Sequence, residues 1–227
     1  MNIQAQYDKI GKEYLSGQKV FFSEKEDIGT KFILKSLPSL EKKRILDIGC
    51  GNGKDMLLLE SLGASQVYGL DPSAFMVAQA KKTIVKSENV VLGSIEETNF
   101  EDESFDIAIA RFSVHHLSSL EKAYNEISRI LKKSGLLIFV VHHPFRDVLY
   151  QEKKIYGKQE IIKIELYDNK VPIYFPTHTL KDYLSQSFFE NFYLAGFEEE
   201  QSLEELLETL HIPGCMGIKA IKKERLE

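Results

Sequence analysis

Cysteine is scarce in this chain: Cys50 and Cys215 are the two present, too few for a disulfide framework. Neither sits in a pattern that demands thiol chemistry, and Cys50 reads as a small residue filling a loop. Long apolar runs are also missing, since none reaches the roughly 18–20 residues that cross a bilayer. The opening stretch from Met1 to Lys12 is polar and helix-prone, unlike a secretory leader. There is no basic excess: the formal charge is −5 and the isoelectric point near 5.8. A protein that grips a phosphate backbone needs a basic face. The local candidates Lys153, Lys154 and Lys158 do not reverse that balance, so nucleic acid is not the expected partner. No internal repeat, low-complexity tract or Pro/Gly/Ser-rich linker divides the chain. These absences predict a cytoplasmic protein of one domain, residues 1–227, and leave its oligomeric state open.

What is present is an alternation of short apolar runs with amphipathic stretches, the pattern of βαβ units around a parallel sheet. Strands are predicted at Arg44–Ile48, Gln66–Leu70, Asn89–Leu92, Phe105–Ala110 and Leu136–Val141. Helices are predicted at about Lys54–Ser61, from Ser73 as N-cap to about Lys86, and over Leu120–Lys132. Lys133-Ser134-Gly135 is the expected stop before a strand apolar on both faces. Beyond His142 the pattern changes. Glu160–Leu166 and Lys170–Phe175 flank Asp168-Asn169 as a hairpin, and a helix is expected from about Thr179 to Ala195. A strand around Glu198–Gln201, a short acidic helix and a strand at Met216–Ile221 complete the reading. Cap helices thus occupy about 1–40, and an inserted lid about 144–178.

The most informative segment is Ile45-Leu46-Asp47-Ile48-Gly49-Cys50-Gly51-Asn52-Gly53. Alternating glycines after a strand let the backbone bend sharply and approach a ligand, with the next helix pointing its N–H groups at the same place. A dinucleotide loop requires a third glycine at the helix start. Lys54 stands there counting from Gly49, and Met56 counting from Gly51. Asp47, just before the glycines, would not help a pyrophosphate but would favour a ligand carrying an ammonium and a sulfonium. Its other reading is a turn residue satisfying loop N–H groups. Asp71, at the end of the second strand, suits the two hydroxyls of a ribose, or else belongs to a turn with Pro72 and the capping Ser73.

Taken together, these segments resemble the class I S-adenosylmethionine (SAM)-dependent methyltransferases, especially the small-molecule type 11 branch. The resemblance runs from about Tyr7 to Lys222. It is carried by Tyr7-Asp8-x-x-Gly11-x-x-Tyr14, the glycine segment, Gly69-Leu70-Asp71-Pro72-Ser73 with Met76, and Gly93-Ser94-Ile95-Glu96. Phe105 to Phe112 with His115-His116-Leu117, and Leu131 to Leu137, continue it in order. It implies a Rossmann-like, mostly parallel seven-stranded sheet with helices on both faces and a small hairpin lid. It also implies SAM as cofactor, S-adenosylhomocysteine as product and a small-molecule methyl acceptor. Asp47, Gly49, Cys50, Gly51 and Gly53 would line the methionine end, and Asp71 with Pro72 the ribose. Met76 and Ile95 would sandwich the adenine, Arg111 and Phe112 would floor the methyl, and Tyr14 would cap the cofactor. Ser94 replaces a common aspartate, so the adenine contact is expected to weaken or pass to Glu96. Arg111 replaces a small residue and is expected to turn away or to pair with a carboxylate.

No metal and no covalent nucleophile is required by such a transfer, and a base only if the acceptor loses a proton. The candidates for that duty are His115, His116, His143, Tyr174 and His178, with His142 beside them on the ligand-facing strand ends. Each has an equally ordinary role in holding loop backbone. Metal binding by His142, His143 and His178 is poorly specified, because adjacent histidines need not point together. Phe21, Phe22, Tyr174 and Phe175 read either as core or as an aromatic lid over a small acceptor. Two other functions stay open: a non-catalytic SAM-binding protein, and an NAD(P)-dependent oxidoreductase.

Overall fold

A computed structural model describes residues 6–21, 28–167, 171–201 and 209–224. Two helices, α1 (Tyr7–Phe21) and α2 (Ile28–Ser36), precede β1 (Arg44–Ile48). Then come α3 (Lys54–Ser61), β2 (Gln66–Asp71), α4 (Ala74–Thr83) and β3 (Val90–Leu92). β4 (Phe105–Arg111), α5 (Glu121–Ile130) and β5 (Leu131–His142) complete the alternating part. The remainder holds α6 (Pro144–Val148), β6 (Ile161–Leu166), β7 (Val171–Pro176), α7 (Leu180–Tyr183), α8 (Gln186–Asn191), β8 (Phe192–Gln201) and β9 (Pro213–Lys222).

Seven strands form one sheet in the order β3-β2-β1-β4-β5-β9-β8. The first five are parallel, and β9 runs antiparallel to β5 and to β8. This is the Rossmann-like, mostly parallel architecture, with an antiparallel pair at one edge. Period-two alternation in β1 feeds two cores. Leu46 and Ile48 join Tyr124, Ile127, Phe188 and Phe192 on one face. Ile45 joins Phe32, Met56, Leu59, Val77 and Ala80 on the other. β5 is buried from Leu136 to Val141, as a central strand covered on both faces must be. β6 and β7 pair separately, and their inner residues Ile162, Ile164, Ile173 and Phe175 pack with Tyr7 and Ile10 of α1.

Several expected boundaries move, each for a local reason. Ser73 does cap α4, its Oγ accepting from Met76 N–H at 3.2 Å, but the helix stops at Thr83 rather than Lys86. Lys133-Ser134-Gly135 bulges within β5: Phe105 opposes Leu131 while Ile107 already opposes Leu136, and Ser134 takes φ 55°. The single helix expected over Thr179–Ala195 is three elements. Ser185 starts a new helix by accepting from Phe188 N–H, and Phe192 turns extended to open a ten-residue strand that includes Glu198–Gln201. The expected short acidic helix lies largely outside the described residues, as do Asp168, Asn169 and Phe22. Among the described residues, no helix is long and apolar enough to cross a membrane.

Candidate functional site

The strand order reverses at β1, with β2 and β3 on one side and β4 and β5 on the other. Outside the carboxyl ends of such strands an open α/β sheet leaves a crevice. Here that crevice encloses about 1180 Å3 of atom-free space, its mouth included. Its floor is the β1–α3 loop, and α1 covers it with Tyr7, Tyr14, Leu15 and Gln18.

The loop takes its shape from backbone that most side chains resist. Gly49 has φ 72° and Gly51 φ 54°. At Gly49 a Cβ would also lie 2.3 Å from Ser113 Cβ, whereas at Gly51 it would meet nothing within 4 Å because it would project into open space. Gly49 N–H donates to Leu70 O at 2.7 Å, and Ser113 Oγ–H to Ile48 O at 2.6 Å. The loop is therefore tied to both neighbouring strands. Phe112, which leaves β4 at φ 49°, is strained beside it and lines the crevice.

The two acidic residues occupy the same end of the sheet. Ile48 is paired with Leu70, so Asp71 extends just past the Asp47 level. Asp71 lines the crevice and accepts from Gly51 N–H at 2.9 Å and Ser73 N–H at 2.8 Å, which leaves further lone pairs for a ligand. Burial pushes its pKa up, while those two N–H groups pull it down. Asp47 lies behind the loop, not in the crevice wall, and is almost wholly buried with Oδ2 unpartnered. Burial first, then Asp55, raises its pKa well above the carboxylate range; Arg111 opposes this and Asp71 adds to it. An approaching cation would restore its charge, so an orphaned acidic oxygen here fits a ligand with an ammonium group.

Arg111 lines the crevice, but its charge is already matched. Its Nε donates to Asp55 Oδ2 at 2.6 Å, and both side chains are mostly buried. A sulfonium would thus face an ion pair, which answers the repulsion that the sequence raises. Asp55 is the residue that sequence reasoning passes over, since an acid in the first turn of a helix is explained by the helix dipole alone. Asp8, which the N-terminal motif includes without a role, accepts at Oδ1 from Ser73 Oγ–H and Phe75 N–H, pinning α1 to the start of α4.

Tyr14, Cys50, Pro72, Met76, Ser94, Ile95 and Phe112 line the same crevice. Gly53 instead caps α3, and Glu96 lies outside the lining, its Oε2 accepting from Ser94 Oγ–H at 3.3 Å. The Cys50 thiol is buried against Gly69, and burial raises its pKa.

Of the proton-accepting candidates, His116 alone lines the crevice. His143 is a helix cap, its Nδ1 accepting from Phe145 N–H while Nε2 meets Glu199 Oε1 at 2.9 Å. His178 donates Nε2–H to Leu117 O and faces a separate polar cleft. Tyr174 is held through its backbone: Gln6 donates to its carbonyl and accepts from its N–H. His115 is buried behind His116, with both ring nitrogens unpartnered. His116, His115 and His142 are stacked at 4.3 and 4.6 Å, and Phe175 stands edge-on to His115 and His116. Stacked rings aim their in-plane lone pairs apart. Among the described residues no three His, Cys, Asp or Glu side chains converge to hold a metal ion.

Comparison with known proteins agrees with this architecture. Residues 46–139 match the family model described as a methyltransferase domain. An uncharacterized methyltransferase, YcgJ of Bacillus subtilis (strain 168), is 33% identical over 144 residues, which is 62% of this chain and 55% of that protein. The chain thus spans about half the length of the curated relatives it matches. A solved S-adenosylmethionine-dependent methyltransferase of Mesorhizobium loti superposes with TM-score 0.68 at 19% identity, covering 85% of this chain and 96% of that one. The [4+2]-cyclase SpnF superposes with TM-score 0.72 at 16% identity, covering 98% and 96%. At such identities the structural likeness establishes the fold.

Proposed function

We propose that this chain, whose residues 46–139 form a methyltransferase domain on the class I fold, binds SAM and transfers its methyl group to a small-molecule acceptor. The observation that carries this reading is Asp71 at the tip of β2, set in the crevice wall between the Gly49–Gly51 bend and the apolar pair Met76 and Ile95. A ribose against the carboxylate and an adenine between the two apolar side chains would use all three features. Asp47, with its orphaned oxygen, would supply the field that favours the cationic end. Lys54 and Met56, standing where a dinucleotide loop needs its third glycine, weigh against the oxidoreductase reading.

When bound, the sulfonium of SAM supplies an activated methyl group. The protein's part is then alignment and the exclusion of water. α1 does the latter by closing the crevice with Tyr7 and Tyr14. The Asp55 carboxylate neutralises Arg111, so no bare cation opposes the transferable group. Calorimetry tests the reading. SAM and S-adenosylhomocysteine are expected to bind, and Asp71→Ala to weaken them by about 1–3 kcal/mol, the scale for losing a charged hydrogen-bond partner. Nicotinamide binding without SAM binding would overturn it. Because a cyclase shares the fold, a second reading is a SAM-holding scaffold without methyl transfer. Bound SAM with no labelled methyl passed to any small acceptor would favour that one.

A further inference from the structure

Three elements meet at one contact in the crevice wall. Tyr7 of α1 and His116, in the 3-10 turn Val114–His116 after β4, both line the crevice. The Tyr7 hydroxyl lies 3.3 Å from His116 Nε2. The backbone of Tyr174, in β7, also acts on this imidazole and favours its protonated form, while burial opposes it and Nδ1 has no hydrogen-bond partner. The Tyr174 carbonyl is fixed by Gln6, the residue before Tyr7, whose amide donates to it at 2.8 Å. Helix, exit turn and hairpin are therefore locked together around the Tyr7–His116 pair. In the tautomer with the proton on Nδ1, Nε2 accepts from the Tyr7 hydroxyl.

Resting on the function proposed above, we infer that Tyr7 and His116 form a proton relay that serves an acceptor bearing a hydroxyl on a flat, unsaturated ring. The hydroxyl donates to Tyr7 Oη while Tyr7 donates to His116 Nε2. As the new O–CH3 bond forms and the S–CH3 bond breaks, the electron pair of the latter stays with sulfur. The hydroxyl proton passes to Tyr7 and the Tyr7 proton to His116, leaving neutral tyrosine and an imidazolium. Two observations point to the acceptor class. The walls are flat and aromatic, with Tyr7, Tyr14, Phe112 and His116 all in the lining. Burial also pushes the His116 pKa down to about 4, too weak a base to strip an alkylammonium, whose pKa is about 10. A hydroxyl oxygen becomes strongly acidic as it takes the methyl, so a weak base placed beside it suffices.

Two measurements test this on the full-length protein. The first is the imidazole 15N spectrum of the protein loaded with S-adenosylhomocysteine, with 2-naphthol as probe. His116 is expected as the Nδ1–H tautomer, its Nε2 resonance moving when the naphthol is added and failing to move in Tyr7→Phe. The second is labelled methyl transfer to 2-naphthol, catechol and phenol, with phenethylamine and histamine as the amine arm. Transfer to at least one hydroxyl is expected. Tyr7→Phe and His116→Gln should each lower turnover at least a hundredfold, and the double variant no further, while the S-adenosylhomocysteine affinity stays within threefold. The inference is overturned by an unmoved Nε2 resonance, by transfer to amines alone, by additive losses in the double variant, or by silence across the panel with the cofactor bound. Loss of cofactor binding in the unsubstituted protein would instead sink the proposed function itself.

Discussion

Mild acid should weaken this fold through its buried histidines, and the size of the effect can be worked from one of them. His115, His116 and His142 stand in a stack at the ends of β4 and β5, and burial lowers the pKa of all three. In the unfolded chain each returns to about 6.5. A base that protonates more readily unfolded than folded contributes stability that is complete above about pH 6.5 and is lost as pH falls toward the folded pKa. For His116, whose folded pKa is about 4, that amounts to about 2 kcal/mol between about pH 7.5 and pH 5. This is an upper figure, because one edge of the ring faces the crevice. Asp47 and Asp71, with raised pKa, act in the opposite sense, gaining stability as pH falls. The depressed carboxyls Asp8, Asp106 and Glu126 lose theirs only at or below the ordinary carboxylate range. The clean measure is therefore a difference. Urea unfolding of the native protein and His116→Gln, at about pH 7.5, 6 and 5 and with matched m-values, should show the native protein losing up to about 2 kcal/mol more. Parallel pH dependences in the two proteins would refute the claim that this ring is held neutral by folding.

Other outcomes rest on single contacts. Gly51→Ala should cost only about 1 kcal/mol of stability for its left-handed φ, yet abolish measurable SAM binding in calorimetry because the new methyl enters the crevice. Gly49→Ala should instead lower the melting temperature severely, its Cβ colliding with Ser113. Asp55→Asn should destabilise by about 3 kcal/mol by removing the carboxylate from a mostly buried ion pair, and adding Arg111→Gln should recover part of that in chemical denaturation. Tyr124→Phe should cost about 1–2 kcal/mol, since the buried Tyr183 carbonyl loses its 2.8 Å donor.

The alternating half of the chain is legible in the sequence because its signals are local. The helix Lys54–Ser61 and the strand Arg44–Ile48 have the predicted bounds, with glycines at Gly49, Gly53 and Gly63 around them. The glycine loop is legible for the same reason: positive φ is a property of single positions. The segment beyond His142 is less so. Thr179–Ala195 carries helix-compatible residues throughout, and only pairing with β9, distant in sequence, makes an edge strand of Phe192–Gln201. Within the site, spacing can place His115 and His116 after β4 but cannot say which faces the crevice. That is set by Phe175 from the hairpin, pressed edge-on against both rings. The ion pair of Arg111 with Asp55 is likewise invisible, since the partners are far apart in sequence and each alone has an ordinary explanation.

The histidine stack also bears on why this corner of the protein is built as it is. Four ring nitrogens go unpartnered in buried surroundings: both on His115, and Nδ1 on His116 and on His142. Each unmade hydrogen bond costs about 1–3 kcal/mol, and phenylalanine in place of His115 would fill the same space beside Phe175 without that cost. Folding alone therefore argues against imidazole at these positions. The cost is concentrated where the tips of β4 and β5 meet the hairpin, adjoining the crevice that His116 lines. Local choices that oppose stability tend to persist where chemistry needs them. Buried imidazoles whose burial favours the neutral form, packed beside His116, suit a site whose acceptor arrives uncharged and must release a proton.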